Sequence, residues 1–98
     1  MHFQDKGSWY LGRRLEGEVD GYFIQIQVFS EPSQYGIGKG KISRLVIYPN
    51  RQCSFKDKMA YFDRGWDGGP PADSNLRKAI DKTVRHFDGK SVDWSQEG

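Results

Sequence analysis

The residues best suited to chemistry fall in two glycine-rich stretches. Gly36-Ile37-Gly38-Lys39-Gly40-Lys41 has the ingredients of a phosphate cradle: small residues, free backbone N–H groups and two lysines. A dinucleotide fingerprint needs G-x-G-x-x-G after a strand and opening a helix, and a Walker loop needs Gly-Lys-Ser/Thr entering a helix. Here the spacing is G-x-G-x-G, and a strand-like run follows. The stretch therefore reads as a flexible loop or wide hairpin connection. Anion contact through Lys39, Lys41 and backbone N–H groups is the alternative.

In the second stretch, Tyr61 to Pro71, Asp63 and Asp67 flank Trp66. Two carboxylates in one loop could take a hard cation. The remaining oxygen ligands are not spelled out, and Arg64 lies between the two. A turn held by Asp63 hydrogen bonds, or an Asp–Arg pair, fits better. Trp66 reads as a plug over a sheet–helix junction, with a partner-facing role as the alternative. His2 and His86 stand at no motif spacing from Cys53, so no Ser-His-Asp or Cys-His arrangement can be nominated. One Cys and two well-separated His exclude a zinc-type cluster. The expectation is a protein with no catalytic residues, no metal and no cofactor, and Cys53 reads as an unremarkable thiol.

The elements that must position these residues follow from pattern and turn chemistry. Arg13–Val19 and Tyr22–Phe29 flank Asp20-Gly21, a pair suited to the two φ > 0 positions of a type I′ hairpin turn. That turn sets Val19 opposite Tyr22, Gly17 opposite Ile24, Leu15 opposite Ile26 and Arg13 opposite Val28. One face then carries Leu15, Val19, Tyr22, Ile24, Ile26 and Val28. The other carries Arg14, Glu16, Glu18, Gln25 and Gln27, with Phe23 as the exception. Ser30–Lys41 is a loop, Ile42–Tyr48 a third strand rich in β-branched residues, Arg51–Asp57 a polar connection and Lys58–Asp63 a short fourth strand. Pro70-Pro71-Ala72-Asp73-Ser74 reads as a helix entry, with Asp73 or Ser74 as cap. Leu76, Ala79, Ile80, Thr83, Val84 and Phe87 form one stripe at helical spacing, and Gly89 supplies the stop. Met1–Ser8 and Lys90–Gly98 read as polar tails, apart from Trp94, around an ordered core from about 9 to 89.

Runs of strands followed by a helix predict an α+β domain: a small antiparallel sheet of three to five strands with one C-terminal helix packed on one face. Ninety-eight residues make one domain. Aromatics are 14% of the chain, and each can bury about 150–250 Å², so a modest core is within reach. A low mean hydropathy with 29% charged residues reads as a soluble protein. No apolar run of about 18 residues marks a membrane span. Met1–Lys6 lacks the basic-then-apolar order of a secretion signal. A single Cys excludes an internal disulfide and fits a reducing compartment. A net charge of +2 neither demands nucleic acid nor marks an acidic mimic of it.

Lys78, Lys82 and Arg85 lie opposite the apolar helix stripe and could track phosphates, although Asp81 dilutes them and a solvated face is the plainer reading. Trp9 and Tyr10 beside Arg13 and Arg14 are suggestive of base stacking at most.

Several segments taken in order carry a resemblance: Glu16–Tyr22, Ser33–Ile37, Gly40–Leu45, and Tyr61-Phe62-Asp63-Arg64-Gly65-Trp66-Asp67 before a helix. The chain resembles a small uncharacterised domain family of phages, prophages and other bacterial mobile elements. The Asp-Arg-Gly-Trp-Asp segment is the most specific part. The continuation Asp67-Gly68-Gly69-Pro70-Pro71 and the Trp94 tail depart from the family's pattern. The resemblance implies a mobile-element setting and a cytoplasmic protein, and it implies no reaction and no ligand.

The functional expectation is a non-catalytic protein that binds a host or phage protein, a host defence system among the targets. Tyr35, Lys39, Lys41, Arg64 and Trp66 are its candidate contact residues, because loops on a rigid sheet carry binding residues and Tyr, Trp and Arg dominate interface energies. The Gly36/Gly38/Gly40 spacing would let backbone approach a partner closely. The alternative is a nucleic-acid-binding module using Lys78, Lys82 and Arg85 with the Gly-Lys loop. A homodimer through a free sheet edge is a further expectation.

Overall fold

The computed structural model describes residues 2–9 and 12–97; Tyr10, Leu11 and the side chain of Trp9 fall outside the described residues, and with them the aromatic half of the base-stacking reading. The hairpin forms as its turn chemistry dictates. Strand β2 (Gly12–Val19) pairs antiparallel with β3 (Tyr22–Phe29), with Val19 opposite Tyr22, Gly17 opposite Ile24, Leu15 opposite Ile26 and Arg13 opposite Val28. Asp20 (φ 53°) and Gly21 (φ 86°) hold the two positive-φ positions.

Strands β4 (Ile42–Tyr48) and β5 (Ala60–Asp63) extend the sheet as a meander, and β1 (Phe3–Trp9) completes it on the other side of β2. The result is a five-stranded antiparallel sheet in the order β1-β2-β3-β4-β5. Helix α1 (Ser74–Asp88) covers one face, giving the α+β architecture. Asp73 caps it, its Oδ1 accepting from the N–H groups of Asn75 (2.8 Å) and Leu76 (3.0 Å). Gly89, at φ 71°, ends it in the left-handed conformation.

The main core lies between helix and sheet. Ile24, Leu45, Ile47 and Ile80 are wholly buried there, joined by Val19, Ile26, Phe62, Leu76, Ala79 and Val84. Each such aliphatic side chain contributes about 1.5–3 kcal/mol by leaving water. Buried Thr83 in the helix stripe gives its hydroxyl to the Ala79 carbonyl (2.9 Å), so it costs the core no unpaired donor.

A second, smaller cluster accounts for Phe23, the exception on the polar face. Phe23, Val46 and Tyr48 are buried on the side away from the helix, with Cys53 and Tyr61 against them. The connection Arg51–Asp57, expected only to be polar, folds back over this face through a 3₁₀ turn at Phe55–Asp57. Arg51 lies 4.6 Å over the Phe23 ring and Lys58 4.3 Å over that of Phe55.

Three segment readings are corrected. The polar tail expected over Met1–Ser8 is not a tail from Phe3 onward, because residues 3–9 pair with β2 as an edge strand. This strand is bulged at Asp5/Gly7: Asp5 Oδ1 accepts the Gly7 N–H (2.8 Å), and Gly7 takes φ 114°. Second, the segment after Gly89 is not a bare polar tail. Val92 is buried, the N–H of Val92 donates to Asp81 Oδ1 (2.7 Å), and Trp94 packs on the main core. Third, β5 is two residues shorter than expected, since Lys58 closes the preceding 3₁₀ turn.

Candidate partner-binding groove

Two loops and the C-terminal segment meet at one end of the sheet. The first loop, 30–41, is held by buried Ile37 and by backbone bonds from Phe29 N–H to the Lys41 carbonyl (3.0 Å) and from Ser33 N–H to the Gly40 carbonyl (2.9 Å). Gly36 and Gly40 are both buried and press against each other: a Cβ on Gly36 would strike the Gly40 carbonyl, and one on Gly40 would strike the Asp88 carboxylate. Their glycine identity is therefore explained by packing within the chain. For these two glycines, packing within the chain and not a partner's close approach accounts for the residue type; Gly38, at φ 60° with open space around it, is not covered by that account. The loop places Lys39 at φ 58°, in the left-handed region that a lysine rarely adopts. It holds Lys41 apart, its N–H donating to Asp88 Oδ1 (3.0 Å) at the end of α1.

The second loop, 64–70, doubles back along the outer edge of β5. Asp63 N–H donates to the Gly65 carbonyl (2.9 Å), Asp67 N–H donates to the Tyr61 carbonyl (2.9 Å), and Trp66 bridges to Phe62. That edge is thus occupied by the chain itself. The opposite edge, β1, carries the bulge and charged residues that hinder edge pairing. Between β3 and β4 the register shifts at Gln27/Val28, leaving Ser43 as the extra residue of a bulge. Its carbonyl accepts the Arg64 N–H (3.1 Å), fixing Arg64 at φ 58°.

Trp66 joins these parts. Its ring stands edge-on to Phe62 (5.0 Å) and tilted against Trp94 (5.8 Å). Its indole N–H donates to Glu97 Oε1 (2.9 Å), while Glu97 Oε2 accepts the Gly38 N–H (3.2 Å). The 3₁₀ turn Trp94–Gln96 brings Glu97 back to this position, with Asp93 as its cap.

The groove so formed has a volume of about 380 Å³ and is lined by Tyr35, Lys39, Arg64 and Trp66 together with Pro70, Gln96 and Glu97. Four of the five candidate contact residues converge there, and Lys41 does not. Tyr35 is 55% exposed. Among the described residues, neither Lys39 nor Arg64 has an ion-pair partner, although both are exposed. Sequence reasoning missed Pro70, Gln96 and Glu97. Nothing local in the sequence joins residues 35, 64 and 97.

The basic helix face is differently arranged. Lys82 Nζ pairs with Asp20 Oδ1 (2.6 Å), tying α1 to the hairpin turn. Arg85 Nε reaches Ser91 Oγ (2.8 Å) and Asp81 Oδ2 (3.7 Å). Lys78 is exposed. On the open sheet face, Lys6, Arg14 and Arg44 border a smaller recess of about 250 Å³, and Arg44 lies 5.3 Å over Tyr61. Among the described residues, the Phe23 and Tyr48 rings of that face are buried, and Arg51 and Arg44 lie over Phe23 and Tyr61.

Asp63 Oδ2 accepts the Tyr61 hydroxyl (3.1 Å), His86 rests against Phe3 and Phe87, and Cys53 Sγ faces Asn50 Oδ1 (3.5 Å). Among the described residues no three His, Cys, Asp or Glu side chains gather as a metal site. None of the described helices is long and apolar enough to cross a membrane.

With this geometry in view, one family model matches the chain over residues 13–88: Domain of unknown function (DUF7678). The chain belongs to that family. The match runs from β2 to the end of α1, so it includes Tyr35, Lys39, Arg64 and Trp66 and leaves out β1 and Glu97. No curated protein and no solved structure matches.

Proposed function

We propose that this DUF7678 protein is a non-catalytic binding module that takes a segment of another protein in the groove between loops 30–41 and 64–70. One observation carries the reading: Lys39 and Arg64, both in left-handed backbone, hold exposed cationic side chains, without an ion-pair partner among the described residues, on one groove beside Tyr35 and Trp66. Backbone in this region costs an ordinary residue roughly 1–2 kcal/mol, and such strain gathers at functional sites. The third such residue, Asp20, is accounted for by its hairpin turn. The resemblance to a phage and mobile-element domain family supports a cytoplasmic setting in which the partner is a host or phage protein, a host defence component included.

Nucleic-acid binding is the weaker reading, since Lys82 and Arg85 already have acidic partners. Affinity capture from the producing cells, with hydrogen exchange on the captured complex, tests the proposal. Protection should fall on residues 33–40 and 64–70, and Tyr35→Ala or Arg64→Glu should lose the partner while melting like the parent protein. Protection confined to the Lys78 face, with DNA binding that falls steeply as salt rises, would replace this reading with the nucleic-acid one.

A further inference from the structure

The groove already holds a carboxylate. Glu97 places one oxygen on the Trp66 indole N–H (2.9 Å) and the other on the Gly38 N–H (3.2 Å). Two N–H donors converging on one carboxylate form a charge-assisted arrangement, stronger than two neutral hydrogen bonds. Both donors belong to the family-matched region, whereas Glu97 lies beyond its end at residue 88.

Glu97 and Gln96 also form a wall. The groove of about 380 Å³ and a second recess of about 410 Å³, lined by Gly38, Lys39, Lys90, Ser91 and Asp93, share Lys39, Gln96 and Glu97. Without that wall the two would join into one channel bordered by Arg64, Lys39 and Lys90. All three cations are exposed, and among the described residues none is in an ion pair. Two carboxylates, Glu97 and Asp93, border this channel against three cations, and Asp93 is already engaged by the Ser95 N–H and hydroxyl; a positive excess remains that a partner's acids would neutralise.

We propose that the groove recognises an acidic segment of its protein partner, one Asp or Glu of which replaces Glu97 on the Trp66 and Gly38 N–H groups, so that Glu97 is a built-in competitor. This rests on the groove being the binding surface. Lys39 and Arg64 take the flanking acids, Tyr35 and Pro70 give the segment an apolar wall, and the displaced C-terminal segment opens the channel toward Lys90.

A random dodecapeptide display library, panned on the full-length chain, tests both levels. Selected peptides are resynthesised and titrated against the parent protein, Glu97→Ala, Glu97→Gln, Tyr35→Ala and the Lys39→Glu/Arg64→Glu double variant. Peptides with Asp or Glu at fixed positions are expected. They should bind Glu97→Ala or Glu97→Gln several-fold more tightly than the parent and the double variant at least about tenfold more weakly. In amide-correlation NMR spectra, the Trp66 indole signal should shift in Glu97→Gln and shift again as peptide is added. Selected peptides free of acids but lost in Tyr35→Ala would overturn the acidic-segment assignment and leave the groove standing. Acidic peptides indifferent to both Glu97 substitutions would overturn the competitor role. Peptides that bind every variant alike, or none selected at all, would overturn the groove as well.

Discussion

On the helix-covered side of the sheet, Ile24, Ile47 and Ile80 are wholly buried, and the Thr83 hydroxyl is satisfied by Ala79. At the loop end, Lys39 and Arg64 stand in strained backbone, without an ion-pair partner among the described residues, beside a tyrosine that is 55% exposed. Glycines divide the same way within a single loop. Gly36 and Gly40 are needed for close packing, while Gly38 adopts φ 60° with open space around it. The first region keeps its interactions inside the chain. The second leaves them unfinished, and unfinished interactions are what a partner can complete.

The largest effect belongs to the covered side. Ile80→Asp would bury a carboxylate among aliphatic side chains with no cation in reach. A loss of 4 kcal/mol or more, on the order of a small domain's whole stability, is expected. Circular dichroism should show no cooperative melt. A transition coinciding with that of the parent protein would refute the packing of α1 on the sheet.

Gly40→Ala should rank next, at about 1–3 kcal/mol. Its new methyl would meet the carboxylate of Asp88, whose Oδ2 is already buried with no hydrogen bond. Gly38→Ala meets only the backbone penalty of the left-handed region, roughly 1–2 kcal/mol. Thermal melts of the two variants rank these costs. Equal losses would erase the division drawn inside the loop.

The open face supplies a pH test. Burial pushes the Tyr48 phenol above its usual 10.0. With the folded value above the unfolded one, its neutral form is favoured by folding. That stability is fully present below pH 10 or so and is lost as pH rises through the folded value. Urea midpoints between about pH 8 and 11 should therefore fall more steeply for the parent than for Tyr48→Phe. The variant should lose about 1 kcal/mol at neutral pH, because Tyr48 donates to Gln25 Oε1 (3.0 Å).

The covered side was also the more legible in the sequence. Asp20-Gly21 admits one favoured turn, and that turn alone fixed the β2–β3 register. The stripe Leu76, Ala79, Ile80, Thr83 and Val84 announced the buried helix face because 3.6-residue spacing is a local signal. Strand β1 was illegible for a physical reason. An edge strand with charged residues and a bulge at Asp5/Gly7 has no apolar alternation to read. Val92 was missed, and Trp94 stood out from the tail without a place in the fold, because a short turn-rich segment has no periodicity and its burial is decided by distant partners. Tyr35, Lys39, Arg64 and Trp66 could be nominated by type. Their convergence with Glu97 could not, since it depends on the Ser43 bulge and on a hydrogen bond between residues 66 and 97.

The smallest effect is the most diagnostic. Lys39→Gly and Arg64→Gly remove side chains from positions where glycine is at ease. Relief of left-handed strain, roughly 1–2 kcal/mol per residue, is offset by the extra freedom glycine gives the unfolded chain, about 0.4–1 kcal/mol. Each variant should gain about 0.5 kcal/mol, a rise of some 2–4 °C in melting temperature for a domain of this size. Among the described residues, neither side chain is engaged in an ion pair that the change would break. Binding should move the other way, because both cations leave the groove. Opposed signs in the two measurements would mark Lys39 and Arg64 as residues held at a stability cost for recognition. A fall in melting temperature would show that these side chains support the fold, and the contrast between finished and unfinished regions would lose its strongest support.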